Sequence, residues 1–170
     1  MPFEKHFGSP PAHLDGHHHV HQLPGVREIV VATLRHRYPS APPYLRVGSE
    51  TMKNIWRRGI DIRRCLAIGY FGSALRTRAT LSGLITNEGF SGIYDWRNER
   101  RIPSDLFAGF LQVPGPRMLI MCHPGRSDPE LARIDSMTSL RDAKLAVLLG
   151  DQWPDLLSKN GLQLGRLVRC

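Results

Sequence analysis

The apolar positions of this chain change their spacing along its length, and each spacing predicts a different element. From 24 to 37 they recur at helical intervals, which places Val26, Ile29 and Leu34 on one face, as in an amphipathic helix. The run MLIMC at 118–122 is continuous and apolar, which is typical of a buried strand. The hydrophobic pattern therefore predicts a chain in which helices and short strands alternate.

The same pattern, with the positions of glycine and proline, predicts the order of the elements. That order is a loop at 1–12, a short strand running into a loop at 12–21, a helix from 24 to 37, a short buried strand at 43–48, one or two amphipathic helices at 51–82, a loop at 86–103, a helix at 104–113 capped by Ser104, a strand at 117–125, a helix at 136–150 ending at Gly150, a helix at 151–161 and a last strand at 162–168. Such alternation favours an α/β fold with a largely parallel sheet. No internal boundary is evident, so a single domain over 1–170 is expected.

Arginine dominates the charge of the chain. Among 170 residues, 23 are Lys or Arg and 15 are Asp or Glu, which gives a net charge of +8, and only four of the basic residues are lysines. No zinc-finger spacing, aromatic RNA-binding signature or helix-turn-helix pattern accompanies them, so nucleic acid is not expected as a partner. Arginines on solvated helix faces explain the pattern, and they could equally steer an anionic substrate.

The cysteines and the apolar runs of the sequence indicate in which cellular compartment the protein is expected. Cys65, Cys122 and Cys170 are widely spaced and odd in number, so no disulfide framework is expected. No apolar run approaches the ~20 residues of a membrane span, and the first residues do not resemble a secretory signal. A reducing cytoplasm is the expected location.

A histidine segment at 13–21 carries the strongest chemical signal. Five of the eight histidines fall there: His13, His17, His18, His19 and His21. Four of these and Asp15 are odd-numbered, so an extended strand would place their side chains on one face. Imidazoles beside a carboxylate suit a divalent metal, and one or two of them are expected to bind it while the rest build the pocket or bind substrate. A purification tag and a solvated histidine-rich loop are the alternatives.

A second candidate site follows the MLIMC run. His123 stands where that strand ends, and in parallel α/β folds catalytic groups collect at the carboxyl ends of strands. Cys122 precedes it on the opposite strand face, so it is expected to point into the core rather than to pair with His123. The aromatic residues of the loop at 86–96 are expected either to line a sugar or to cover an edge of the core.

These segments resemble the YdjC-like carbohydrate deacetylases, which include the chitooligosaccharide deacetylases and hopanoid-biosynthesis deacetylase relatives. The likeness rests on FGSPPAHLDGHHHVHQLPGV (7–26), TNEGFSGIYDW (86–96), MLIMCHPGRSDPEL (118–131) and LSKNGLQLG (157–165). The first stretch is similar to the segment around the family's metal site, and the third to its second His-Pro segment. The likeness covers most of the chain in the right order.

The resemblance implies a fold and an activity. The fold would be a partial, barrel-like (β/α) arrangement, and the activity removal of an acetyl group from an N-acetylated sugar or oligosaccharide with a divalent metal, magnesium or zinc. His17 matches the family's metal-ligating histidine, and His123 matches the histidine expected near the acetyl group or the leaving amine. Arg46 matches a pocket-facing position, so it is assigned with His19 and His21 to the substrate. Asp15 is assigned a catalytic role, orienting a histidine or acting as a weak base.

One departure from the family pattern is large. Family members begin with a "T-x-D-D-F-G" strand and carry a later "G-x-H-x-x-L" motif, and neither occurs in this sequence. The chain is therefore expected to be the C-terminal part of such a domain, truncated at its N-terminus and either active or inactive. The alternative is a non-catalytic metal- or sugar-binding remnant. A domain that lacks its N-terminal strands would leave the edges of other strands uncovered. Marginal stability or self-association, for example as a homodimer, is therefore expected.

Overall fold

A computed structural model describes residues 2–96, 102–135 and 138–167. The helices in this part of the chain are α1 (Pro2–Phe7), α2 (Val26–Arg37), α3 (Met52–Arg58), α4 (Ile62–Leu81), α5 (Pro103–Phe110), α6 (Pro129–Ile134), α7 (Ser139–Leu149) and α8 (Gln152–Lys159), with a 3-10 helix at His17–Gln22. The strands are β1 (His13–Leu14), β2 (Tyr44–Leu45), β3 (Gly89–Ser91) and β4 (Met118–Ile120).

The strands pair in parallel. β1 pairs with β2 through His13 opposite Tyr44, and β3 pairs with β4 through Phe90 opposite Leu119. A parallel bridge between Leu45 of β2 and Thr86, which lies three residues before β3, connects the first strand pair to the chain that leads into the second. The structure thus confirms a mixed α/β fold with short parallel strands, while the barrel-like closure stays a prediction.

Two hydrophobic clusters hold these elements together. The first joins α2, β2 and α4 through residues such as Leu34, Leu45 and Leu75. The second joins the β3–α5 region to α7 through Tyr94, Leu106, Phe107, Phe110 and Leu140. The core-facing residues of α2 are Val30, Val31 and Leu34, and those of α4 include Leu75 and Ala79. Val26 and Ile29, predicted on the same face as Leu34, are exposed.

Buried Asn87 ties the segment before β3 to the chain after β2. Its side-chain oxygen accepts from Val47 N at 2.8 Å and from Tyr44 Oη at 2.9 Å. Its side-chain nitrogen donates to the carbonyl oxygens of Val47 at 2.8 Å and Gly89 at 2.7 Å. All four hydrogen-bonding positions of this amide are therefore used inside the protein.

Glycine allows two close approaches near these strands. A Cβ at Gly72 of α4 would lie 2.7 Å from the backbone of Gly48 and Ser49, which follow β2. Gly92, with φ +100°, follows β3, and a Cβ there would overlap the Met121 backbone just past β4. Each contact brings two backbones closer than any side chain would permit.

Several predicted elements differ from the structure. Residues 2–7 form α1 rather than a loop, α6 was not predicted, and residues 162–167 contain no strand, with position 168 outside the described residues. The N-cap of α5 is Ile102 without a side-chain bond, so Ser104 does not cap it. The strand predicted over 12–21 stops at Leu14, because the chain then turns into the 3-10 helix.

None of the helices in the described ranges is both long enough and apolar enough to cross a bilayer.

Candidate active site

The candidate residues gather where parallel strands end. The 3-10 helix follows β1, Arg46 directly follows β2, and His123 comes shortly after β4. Because the carboxyl ends of parallel strands meet at one edge of a sheet, these segments share one side of the fold. Phe90 of β3 contacts two of these residues: its ring centroid lies 5.8 Å from the His19 ring centroid and 5.3 Å from the Arg46 guanidinium carbon.

The histidine segment is turned rather than extended. His18 and His19 adopt left-handed backbone angles, with φ of 50° and 62°, a conformation that costs non-glycine residues about 1–2 kcal/mol each. His19 N donates to Gly16 O at 3.0 Å, which closes the first turn. The prediction that the odd-numbered histidines share one face is therefore wrong, because the chain does not stay extended beyond Leu14.

Arg46 holds this turn in place. Its side chain is 5% exposed, and its Nε lies 2.5 Å from Asp15 Oδ1, which also pairs with its Nη2. A third contact runs from Nη2 to Gly16 O at 3.1 Å, and a fourth from Nη1 to His19 Nδ1 at 2.8 Å. The guanidinium therefore fixes the position of three successive parts of the histidine segment.

The Arg46 contact determines the tautomer of His19. A guanidinium can only donate, so His19 Nδ1 must accept and the ring proton lies on Nε2. Burial, followed by the Arg46 charge, lowers the pKa of His19 to about 4. At neutral pH His19 is a neutral ring whose Nε2–H is a donor, which suits a substrate oxygen and not a metal ion.

His21 is placed differently from its predicted role. The ring is 2% exposed, and its Nε2 donates to Arg46 O at 2.8 Å. Burial lowers its pKa. His21 therefore supports the turn from inside, which departs from the predicted contact with substrate.

Asp15 and His17 lie at the solvent side of the segment. The Asp15 side chain is 48% exposed, and its Oδ1 is paired with Arg46. His17 is exposed, and its ring stacks edge-on against His18 at 4.1 Å. In the described part of the structure no hydrogen bond engages the His17 ring.

His123 lies in the loop after β4. It is half-buried, and burial, the charges of Lys144 and Arg141, and the charge of His17 all lower its pKa, while Asp135 raises it. Cys122 packs against the second core cluster, as expected.

Lys144 is a residue that the sequence reasoning missed. Its side chain is 1% exposed, its Nζ donates to Tyr94 Oη, and the same nitrogen lies 4.4 Å from the Tyr94 ring centroid. A signal was present: Lys144 occupies the core-facing stripe of α7, four residues after Leu140 and four before Leu148. A lysine at such a position requires a partner.

The described residues do not form a complete metal site. Protein metal sites use three or more ligands, and no group of three His, Cys, Asp or Glu side chains with that arrangement occurs among residues 2–96, 102–135 and 138–167. His17 offers an imidazole, but Asp15 and His19 are taken up by Arg46. A metal bound through His17 would need donors beyond this cluster.

Curated relatives and a solved structure are similar to the chain over nearly its whole length. Chitooligosaccharide deacetylases of Yersinia pestis (strain Pestoides F) and Yersinia pseudotuberculosis (serotype O:1b) are 25% identical over 172 residues, which is 99% of this chain and 56% of each relative. The chain thus spans about half the length of these relatives. A crystal structure from Enterococcus faecalis V583, named as a cellobiose-phosphate cleavage protein, superposes with a TM-score of 0.62 at 19% identity, covering 97% of this chain and 54% of the other.

A family model decides the classification. The model described as YdjC-like protein matches residues 2–159, which include the histidine segment, Arg46, the aromatic loop and His123. This match agrees with the fold shared with the Enterococcus structure. The chain belongs to the YdjC-like protein family.

Proposed function

We propose that this protein is a carbohydrate deacetylase, which removes an acetyl group from an N-acetylated sugar by hydrolysis. The observation that carries the proposal is the folded histidine segment, in which the buried Arg46 binds Asp15, Gly16 and His19 at the carboxyl end of β2. Membership of the YdjC-like family supports it. So do the curated relatives, which are named chitooligosaccharide deacetylases.

The reaction requires one proton to be moved twice. Water oxygen forms a bond to the acetamide carbonyl carbon, and the carbon–nitrogen bond then breaks, which gives acetic acid and a sugar amine; the acid's proton passes to the amine or to solvent, which leaves acetate. His123 enters the reaction as a neutral imidazole because its pKa is lowered. It can accept the proton of the attacking water and then pass it to the departing nitrogen.

His19 and Arg46 have a binding role in this proposal. The Nε2–H of His19 donates to an oxygen of the sugar or of the acetyl group. Arg46 holds that donor in place, since its Nη1 occupies the opposite ring nitrogen. Asp15 forms an ion pair with Arg46 and so balances its positive charge. A direct role for Asp15 as base stays a prediction.

We also propose that His17 is a ligand for a divalent metal, magnesium or zinc. A metal of this kind polarises the carbonyl and lowers the pKa of bound water. Because no three donors among the described residues are grouped to hold a metal, this chain should bind such ions at least ~10-fold more weakly than a complete site does. Calorimetry with each ion measures the affinity of the wild type. The same measurement on His17→Ala should show weaker binding, because the proposed ligand is removed.

The deacetylase assay tests the proposal directly. N-acetylated chitooligosaccharides are incubated with the chain and added metal, and released acetate and free amine are quantified. Because the chain spans about half of its relatives, a second series adds the uncovered part of the Yersinia pestis relative in trans. His123→Ala should lower the rate by ~100-fold or more, whereas exposed His36→Ala, on α2, should leave it unchanged. Absence of turnover in both series would refute the proposal.

A non-catalytic metal- or sugar-binding protein is the second candidate. The incomplete donor set among the described residues favours it. Sugar or metal binding that His17→Ala or His19→Ala weakens, without release of acetate in either series, would establish it instead. A cytoplasmic location, a homodimer and barrel-like closure are further proposals, and sedimentation of the purified chain tests the dimer.

A further inference from the structure

The Phe90 ring contacts both partners of the hydrogen bond between Arg46 and His19. The Arg46 guanidinium carbon lies over the ring, 5.3 Å from its centroid, within the range of a cation–π contact. The His19 ring meets it edge to face, with the two centroids 5.8 Å apart and an interplanar angle of 88°, which is a favoured aromatic geometry. One buried ring therefore touches the donor and the acceptor of the contact that fixes the His19 tautomer.

The polar contacts of Arg46 leave one direction of movement weakly restrained. Its donors reach Asp15 Oδ1, Gly16 O and His19 Nδ1, and the hydrogen bonds of a guanidinium lie close to its plane. Such bonds resist rotation within the plane more strongly than tilting out of it. An aromatic ring against the face of the guanidinium supplies the missing restraint.

Phe90 is itself held by backbone contacts. It is 2% exposed and lies opposite Leu119 in the parallel β3–β4 pair. Its carbonyl oxygen accepts from Arg58 Nη1 at 3.2 Å, and Arg58 is in turn paired with buried Glu50. Phe90 therefore offers Arg46 a fixed surface, and it is too deeply buried to bind a substrate itself.

We propose that Phe90 is a positioning residue for His19: its ring restrains the Arg46 guanidinium from the face, and the two side chains together fix the direction of the His19 Nε2–H. This role rests on the proposed function in one respect, the binding of substrate by His19. It requires an electron-rich aromatic face at position 90, which an aliphatic side chain of similar volume does not supply. The effect belongs to substrate binding, because it acts on a donor rather than on the group proposed to move the proton.

The test changes the electron density of the ring and keeps its shape. A trifluorinated phenylalanine incorporated at position 90 weakens the negative potential of the ring face at nearly constant volume. The same replacement of Phe107 is the matched control, since Phe107 is similarly buried and contacts the rings of Phe110 and Trp153. Phe90→Leu removes the ring altogether.

Two measurements follow the position of Arg46 and the binding of substrate. Exchange of the Arg46 Nε–H with water is measured by NMR on the full chain, and KM and kcat are measured with N-acetylated chitooligosaccharides and added metal. Fluorination at position 90 should speed the exchange and raise KM, each about 3-fold or more, with kcat little changed. Phe90→Leu should enlarge both effects, and fluorination at position 107 should produce neither.

Each result supports or overturns the proposal. Exchange and KM that stay as in wild type after fluorination at position 90 overturn it, and so do equal changes at positions 90 and 107. In a protein that releases acetate, a change in only one of the two quantities also overturns it, because the proposal links the hold on Arg46 to substrate binding. The fluorinated protein decides these outcomes even where Phe90→Leu does not fold.

Failure of the proposed function gives a different result. If no acetate is released but fluorination at position 90 alone speeds the exchange, the hold of Phe90 on Arg46 stands and the proposed function fails. If acetate is released and neither exchange nor KM changes, the proposed function stands and the positioning role fails.

Discussion

Arg46 shows how one side chain can organise a site built from adjacent residues. Five of the histidines lie within nine positions, yet the structure gives them different environments. His17 is exposed, His21 is buried, and His19 is held between Arg46 and Phe90. The sequence identifies the segment but not this division of roles, because a turn with left-handed residues at His18 and His19 has no hydrophobic pattern that would predict it.

The lowered pKa of His19 predicts a particular dependence of stability on pH. A histidine whose folded-state pKa is about 4, against about 6.5 unfolded, binds fewer protons in the folded state between those values. Its contribution to stability is therefore complete above pH 6.5 and is lost as the pH falls from 6.5 towards 4. His21 and His123 shift in the same direction.

Urea unfolding at pH 7 and pH 5 measures this dependence. The midpoint should be lower at pH 5. His19→Gln, whose side-chain oxygen can still accept from Arg46, should lose less stability between the two pH values than the wild type does. Equal losses in the two proteins would show that His19 does not carry the effect.

At the scale of elements, the sequence predicts the regular segments well. Helical spacing identifies α2, and of the one or two helices predicted within 51–82 the structure has two, α3 and α4. The strands are much shorter than the apolar runs that predict them: β4 covers Met118–Ile120 only. Apolarity reports burial, whereas a strand assignment needs a hydrogen-bonded neighbour, and the sequence does not reveal where the neighbouring strand stops.

Two glycines of α4 should respond oppositely to alanine. A Cβ at Gly72 would lie 2.7 Å from backbone atoms of Gly48 and Ser49, whereas one at Gly69 would have its nearest contact at 3.9 Å, to Ile55 Cδ1. Gly72→Ala should therefore destabilise the protein by about 1–3 kcal/mol. Gly69→Ala should stabilise it by about 0.5–1 kcal/mol through helix propensity.

Chemical denaturation of the two variants provides a matched comparison, because both add one methyl group to the same helix. The free energy of unfolding should fall for Gly72→Ala and rise for Gly69→Ala. Equal effects would mean that the contact between α4 and the chain after β2 is looser than the structure shows.

At the scale of the whole molecule, buried polar side chains link the parts that the short strands leave separate. Asn87 joins the segments around β2 and β3. Arg58 forms a buried pair with Glu50 and donates to Val113 O at 3.0 Å beyond α5. The hydrophobic periodicity of the sequence does not predict such residues. Each is a polar residue in an apolar setting, and its hydrogen-bond partners lie far away in the sequence. This explains why the fold class was predictable and the internal connections were not.

Asn87→Ala should therefore cost more than an ordinary side-chain truncation. It leaves Val47 N, Tyr44 Oη and two carbonyl groups without their partner inside the protein. A loss of about 3 kcal/mol or more in the free energy of unfolding is expected. Asn160→Ala at the end of α8, where the amide makes one bond to Leu156 O, is the control and should cost under ~1 kcal/mol. Similar losses for both variants would contradict the linking role of Asn87.

The contact between Gly92 and Met121 has a consequence for chemistry at a distance. Met121 lies two residues before His123, and its backbone occupies the space that any L side chain at position 92 would need. The distance between the segments that follow β3 and β4 is therefore limited by the hydrogen atom that glycine carries in place of a side chain. A larger residue at position 92 would therefore have to displace the backbone two residues before the histidine proposed to move the proton.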